Sequence, residues 1–135
     1  MSACAYVGSQ THIYNDSLRN NLTLWNEAIT DTHIKEALER VNLLSFLSRI
    51  DEQVSDGSFS EGQKQRIGLI RAFLKGSSVV IFDEATANLD HKNATRIEHL
   101  LLSDPNITYI TVTHHLIKEN ESYFDKIIRL GEGTE

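Results

Sequence analysis

The run Val79-Val80-Ile81-Phe82-Asp83-Glu84 constrains the fold more than any other stretch of the chain. Its β-branched and aromatic residues suit a pleated, packed surface, so the run predicts a buried strand. The strand ends in two carboxylates, which places hard oxygen ligands at the C-terminal edge of a sheet, where open α/β sheets bind their ligands. One carboxylate of such a pair can hold Mg²⁺ through its water shell while its neighbour polarises an attacking water. Taken alone, the hexapeptide fits a strand running into an acidic turn equally well.

The flanking sequence supplies the elements around this strand. Ala3 to Val7 reads as a short buried strand ending at Gly8. From Asp16 to about Ile50 the pattern is helical, with Asp31 as a cap for the apolar spacing of Ile34, Ala37, Leu38 and Val41. Leu43 to Ile50 continues as a second short helix, and the polar stretch Asp51 to Ser58, with Asp56 and Gly57, reads as a loop. Ser60 with Gln63 three residues on forms a capping-box pattern before the apolar stripe Ile67, Ile70 and Leu74, and Gly76 is placed to end that helix. Asp90 caps a helix that runs through Leu102 and stops before Pro105. Ile107 to Val112 and Lys126 to Leu130 read as two more strands. Alternating helices and strands predict an α/β fold with parallel strands.

Composition narrows the function classes. The 135 residues make about one small domain with a formal net charge of -6, which argues against a protein held to nucleic acid by phosphate contacts. No apolar run approaches the roughly 18 to 20 residues of a membrane span, and no signal-peptide pattern opens the chain. The single cysteine, Cys4, lies in an apolar run and is expected to be a small buried residue. A soluble cytoplasmic protein is the default expectation.

Two further stretches can carry chemistry beside Asp83 and Glu84. In Phe59-Ser60-Glu61-Gly62-Gln63, a helix start with free N–H groups, a hydroxyl and a glycine makes an anion site. Alone, Ser60 and Gln63 fit a plain helix cap better. Past the acidic strand come Ala87-Asn88-Leu89-Asp90 and then Thr113-His114. A histidine just beyond a strand end can reach a γ-phosphate or the attacking water, although a lone histidine there is more often a surface residue.

In order, these motifs resemble those of ABC-transporter nucleotide-binding domains of the exporter type, from the Q-loop onward. Gln10 in Tyr6-Val7-Gly8-Ser9-Gln10 matches the Q-loop glutamine, which in the family senses Mg²⁺ and the transmembrane partner. Ser60, Gly62 and Gln63 match the signature L-S-G-G-Q, continued by Lys64-Gln65-Arg66. Asp83 matches the Walker B aspartate, Glu84 the catalytic glutamate, Asp90 the D-loop aspartate and His114 the switch histidine. His115 carries no role from this resemblance. Phe59 and Glu61 depart from the signature, and Glu61 adds a negative charge beside a site meant for phosphate. The loop around Val54 to Ser58 also looks shorter than the exporter loop there.

The sequence G-x-x-x-x-G-K-[ST], whose amides cradle phosphates, does not occur in the chain. The resemblance therefore implies a partial P-loop NTPase (RecA-like) parallel sheet plus an α-helical subdomain, expected from a truncated gene product. Residues 1–10 would form the Q-loop strand, 11–75 the helical subdomain with the signature, and 76–135 the C-terminal half of the core. The phosphate-loop strand of the family lies between the strand ending at His114 and Lys126 to Leu130. Its absence predicts an open strand edge and self-association of the chain.

In the family assembly two such domains pack head to tail around ATP. The resemblance implies Gln10 and Asp83 at Mg²⁺, Glu84 as base, His114 at the γ-phosphate, and Ser60, Gly62, Gln63 and Asp90 at the nucleotide. It also implies a transmembrane partner received by Thr11 to Leu24, with Ile13, Tyr14, Leu18, Leu22 and Leu24, although an ordinary subdomain edge fits as well. Trp25 is expected to be a partly buried packing residue. The location implied is the cytoplasmic face of the cell membrane, with the chain itself soluble and, without a phosphate loop, inactive alone. Two other readings stand beside this one. A non-catalytic ABC-like regulatory module is weighed against by the retained Glu84 and His114. A nucleic-acid-linked ABC ATPase is opposed by the acidic charge and the short stretch between Gln10 and Ser60.

Overall fold

A computed structural model describes residues 4–131. In chain order it contains strands β1 (Cys4–Val7) and β2 (Asp16–Ser17), helices α1 (Leu18–Thr23) and α2 (Asp31–Arg40), strand β3 (Gln53–Val54), helix α3 (Glu61–Lys75), strand β4 (Val79–Asp83), helix α4 (His91–Ser103) and strand β5 (Thr108–Val112). The sheet β1-β4-β5 is parallel throughout, with the acidic strand β4 in the middle.

Side chains alternate across this sheet. Ala5 and Val7 of β1 and Val80 and Phe82 of β4 are buried in one continuous core with Leu18, Leu22, Ile34, Leu38, Ile67 and Ile70 of the helices. The opposite face carries Cys4, Tyr6, Ile110 and Val112, all exposed, and the register sets Tyr6, Ile81 and Ile110 in one row. Cys4 is thus exposed rather than buried. Its apolar neighbours belong to the covered face, whereas its own position in the alternation points it to the open one.

The helix caps follow the sequence pattern with one exception. Ser60 and Gln63 form a reciprocal capping box on α3, and Gly76 ends that helix at φ 72°, a left-handed conformation that glycine adopts freely. Asp90 caps α4. The cap of α2 is Thr30, not Asp31: the Thr30 hydroxyl accepts from His33 N–H, and His33 Nδ1 accepts from Thr30 N–H. Asp31 sits one residue inside, where a carboxylate favours the positive end of the helix, and pairs with Arg19.

The short helix expected over Leu43 to Ile50 is a tight 3₁₀ helix, Leu44–Arg49. Two other expectations change. The 16–17 and 53–54 segments, read as helix and loop, pair antiparallel as β2 and β3. Residues 126–130 form no strand, and Ile128 and Leu130 are exposed. A strand needs a ladder neighbour, and β5 pairs only with β4 among the described residues.

A buried polar cluster fixes the chain after β5. Tyr109 Oη donates to Glu98 Oε2 (2.7 Å), while Asn120 Nδ2 donates to Glu98 Oε1 (3.2 Å) and to the Thr95 carbonyl (3.1 Å). Glu98 and Asn120 are almost fully buried. Burial and, next, the Glu98 charge push the Tyr109 phenol far above its ordinary value of 10.0. A phenol whose folded pKa is raised contributes stability that is present below its unfolded pKa and is lost as pH rises. We expect urea midpoints to fall above about pH 10 and Tyr109→Phe to flatten that fall. The same variant should cost about 1–3 kcal/mol at neutral pH, because Glu98 loses a buried partner.

Candidate functional site

The site is built where β4 and β5 end. Asp83 is the last residue of β4, and Glu84 follows with φ 57°, its N–H donating to the Val112 carbonyl at 2.9 Å. A non-glycine residue in the left-handed region is disfavoured and persists where surrounding bonds hold it. This turn brings Glu84 Oε2 to 3.0 Å from Nε2 of His114, two residues beyond the end of β5. His114 is highly exposed, and Glu84 is half-buried. Thr113 Oγ1 accepts from the His115 N–H (3.0 Å) and so shapes the turn that presents His114.

Tyr6 belongs to this group, although the sequence reading gave it no role. Its hydroxyl donates to Asp83 Oδ2 at 2.6 Å, and this bond is the first cause of a raised phenol pKa. Parallel pairing of β1 with β4 sets Tyr6 opposite Ile81, on the same face as Asp83 two residues later. Strand alternation could have revealed the neighbour once that pairing was known.

No group of three or more His, Cys, Asp or Glu side chains able to hold a metal ion occurs among the described residues. The donor set therefore does not suit a metal caged by protein alone. A single carboxylate at a strand end does suit Mg²⁺, which binds through one or two carboxylates, waters and substrate phosphates. Gln10 is exposed beyond the end of β1.

The start of α3 forms a second group. The Ser60 hydroxyl accepts from Gln63 N–H (3.1 Å), and Gln63 Oε1 accepts from Ser60 N–H (2.9 Å). The charge of Glu61 is met locally: its carboxylate lies 2.6 Å from Lys64 Nζ, which also reaches Asp56 at 3.2 Å. The Glu61 bond is the first cause of a raised Lys64 pKa. Gly62 is packed against the 87–90 segment, where a β-carbon would lie 2.7 Å from the Asn88 carbonyl oxygen. The Asp90 carboxylate accepts from Asn93 N–H and Asn93 Nδ2, both at 2.8 Å, and these bonds, with Arg66 nearby, hold its pKa below the usual range.

The structure thus gathers Asp83, Glu84 and His114 at one sheet edge, and Ser60, Gly62 and Gln63 at one helix start, with Asn88 touching the second group. Among the described residues no hydrogen bond or ion pair joins Ser60 or Gln63 to Asp83, Glu84 or His114.

In the 11–24 segment Ile13, Leu18 and Leu22 are buried, whereas Tyr14 and Leu24 are exposed. Trp25, expected to be partly buried, is 48% exposed and meets Tyr14 edge-on with ring centroids 5.1 Å apart. Both Leu24 and Trp25 have positive φ (52° and 63°), and the tight turn they make after α1 lifts the indole out of the core.

A parallel sheet whose central strand ends in Asp-Glu, joined to a helical subdomain, defines the class: part of a P-loop NTPase α/β core. The family model described as ABC transporter matches residues 3–87. A probable ABC transporter ATP-binding/permease protein of Haemophilus influenzae is 33% identical over 73% of this chain and 19% of its own length. An ATP-dependent lipid A-core flippase of Francisella novicida is 30% identical over 98% of this chain and 23% of its own. A bacterial Atm1-family ABC exporter, solved with ATP bound, superposes with a TM-score of 0.74 at 22% identity, over 84% of this chain and 21% of that one. The chain belongs to the ABC transporter family, and it spans 19 to 23% of the length of these curated relatives.

The Gly62 contact yields a direct test. Gly62→Ala should displace the 87–90 backbone and cost about 1–3 kcal/mol, read as a lower urea midpoint. An unchanged midpoint would show that the contact has slack.

Proposed function

We propose that the chain is an ATP-binding and ATP-hydrolysing portion of an ABC exporter that works only within a larger assembly. The observation that carries this reading is the approach of Glu84 to His114 at 3.0 Å, beside Asp83 at the end of β4. In this reading residues 1–10 contribute the Q-loop strand, 11–75 the helical subdomain, and 76–135 the C-terminal part of the core. Asp83 and Gln10 would hold Mg²⁺, which supplies charge neutralisation for the phosphates. Glu84 orients and deprotonates water, and His114 holds the γ-phosphate side of the site. Ser60, Gly62 and Gln63 present the start of α3 to a nucleotide bound by a second, head-to-tail domain, with Asp90 at the same interface.

Export is supported by the flippase and exporter among the relatives. The exposed Tyr14, Leu24 and Trp25 form an apolar patch that supports a transmembrane partner in this reading, with the cytoplasmic face of a membrane as the location it proposes. No helix among the described residues is itself long and apolar enough to cross one. The 135 residues contain no phosphate-cradling glycine-rich loop. Titration of the chain alone with Mg-ATP should therefore give no micromolar binding, and such binding would overturn the half-site reading. In an assembled dimer that hydrolyses ATP, Glu84→Gln should lower kcat at least about 100-fold, the contribution of a general base.

The exposed sheet face, with Tyr6, Ile110 and Val112, and the edge of β5, unpaired among the described residues, support association between copies. Sedimentation should give a weight-average mass that rises with concentration. A well-folded monomer at high concentration would count against this.

A further inference from the structure

Helix α3 meets the rest of the molecule through a row of residues spaced by three: Gly62, Gln65, Gly68 and Arg71. On a helix with 3.6 residues per turn, that spacing winds slowly round the axis, so each member faces a different segment. Gly62 lies under the Asn88 carbonyl, and a β-carbon on Gly68 would come 2.9 Å from Thr11 Oγ1 and 3.5 Å from Val7 Cγ1. Arg71 Nε donates to the Asn21 carbonyl at 2.7 Å, and its guanidinium lies 5.9 Å from the Tyr14 ring centroid. Asn21 is fully buried and clamps the 14–17 backbone by accepting from Tyr14 N–H (2.8 Å) and donating to the Tyr14 and Ser17 carbonyls, both at 3.0 Å.

Gln65 is the member that reaches the chemistry. It is 1% exposed. Its Oε1 accepts from Asn88 N–H at 3.1 Å, while Nε2 lies 3.5 Å from both the Ser9 and the Glu84 carbonyl oxygens. A buried carboxamide is retained only when its donors and acceptor are matched, because an unmatched one is costly. Here the partners are the backbones of two loops: Ser9 in the loop that carries Gln10, and Glu84 and Asn88 in the loop between β4 and α4 that leads to Asp90. The close approaches at Gly62 and Gly68 on either side fix the depth at which the carboxamide sits.

We propose that Gln65 is a positioning residue for hydrolysis. Through its carboxamide the signature helix holds the backbone of Glu84 in its left-handed turn, in register with the loop carrying Gln10 and with the Asn88 end of the loop that Glu84 itself begins. Because Arg71 ties the same helix to the segment bearing Tyr14, displacement of that exposed patch reaches Glu84 through α3. The catalytic part of this inference rests on the ATPase reading above, whereas the structural part does not.

Amide hydrogen exchange on the 135-residue chain tests the structural part. Gln65→Met keeps length and apolar volume but removes every polar contact. Exchange at Asn88, whose N–H loses its acceptor, should then rise about tenfold, and the Glu84 N–H, still bonded to the Val112 carbonyl, should exchange faster as its turn loosens, while Ile97 and Leu101 in α4 stay protected. Gln65→Glu keeps an acceptor for Asn88 N–H but loses the donor, so Glu84 should loosen while Asn88 stays protected. Unchanged exchange at Glu84 in both variants, or an equal rise at Glu84 and Ile97, overturns the proposal. In an assembled dimer that hydrolyses ATP, Gln65→Met should lower kcat about tenfold with KM for ATP unchanged; a raised KM with kcat intact overturns the positioning role. If the wild-type dimer does not hydrolyse ATP, the ATPase reading fails, and the exchange results still decide whether Gln65 holds Glu84.

Discussion

Because β4 is paired in parallel with β1 on one side and β5 on the other, the loops that leave these three strands emerge at one edge. The Gln10, Glu84 and His114 loops are therefore neighbours through backbone hydrogen bonds before any side-chain chemistry is considered. The bond from Glu84 N–H to the Val112 carbonyl extends the β4–β5 ladder by one residue and twists Glu84 into the left-handed region. That twist turns its side chain toward His114. Were β4 an edge strand, one of those loops would lose its backbone reference, and the 3.0 Å approach would depend on exposed side chains alone.

The helix starts follow from local chemistry, which is why they could be read from sequence. Ser60 with Gln63, Asp90 before His91, and Gly76 each satisfy orphan backbone groups within a few residues. The strand Val79 to Asp83 was legible for a related reason, since its apolar run needs burial whatever the topology. Partnerships set by distant residues were not legible. Gln65 reads as one more polar residue on a helix, and only the approach of Asn88, Glu84 and Ser9 from other elements makes it a buried hub. Cys4 failed in the opposite sense, because apolar neighbours forecast burial where strand alternation exposed the side chain. Asp31 lost the cap to Thr30 because either residue satisfies the pattern, and Arg19 offered Asp31 another partner.

The signature region shows how a structural and a functional demand can share one feature. Ser60 and Gln63 already satisfy each other's backbone groups, so the start of α3 is held rigid without a ligand. A preorganised helix start needs no reordering when an anion arrives. In the proposed site Glu61 would repel an anion, yet Lys64 meets its charge one turn along the helix, and Asp56 shares the same ammonium. The local cluster still carries one negative charge over, and salt should screen it readily because both carboxylates are exposed.

Parallel sheets bury both faces, since their crossovers cover each side. Here, among the described residues, one face is covered, by the helices whose apolar residues join Val80 and Phe82 in the core. The other face leaves Tyr6 and Val112 more than half exposed, with Asp83 at its end. The carboxylate proposed for Mg²⁺ thus lies on the same surface that lacks a cover. Tyr6, on that face, already donates to the Asp83 carboxylate. In the proposed site, a metal ion reaching Asp83 Oδ2 would meet the Tyr6 hydroxyl already bound there, so the Tyr6–Asp83 bond links the open face to the proposed chemistry.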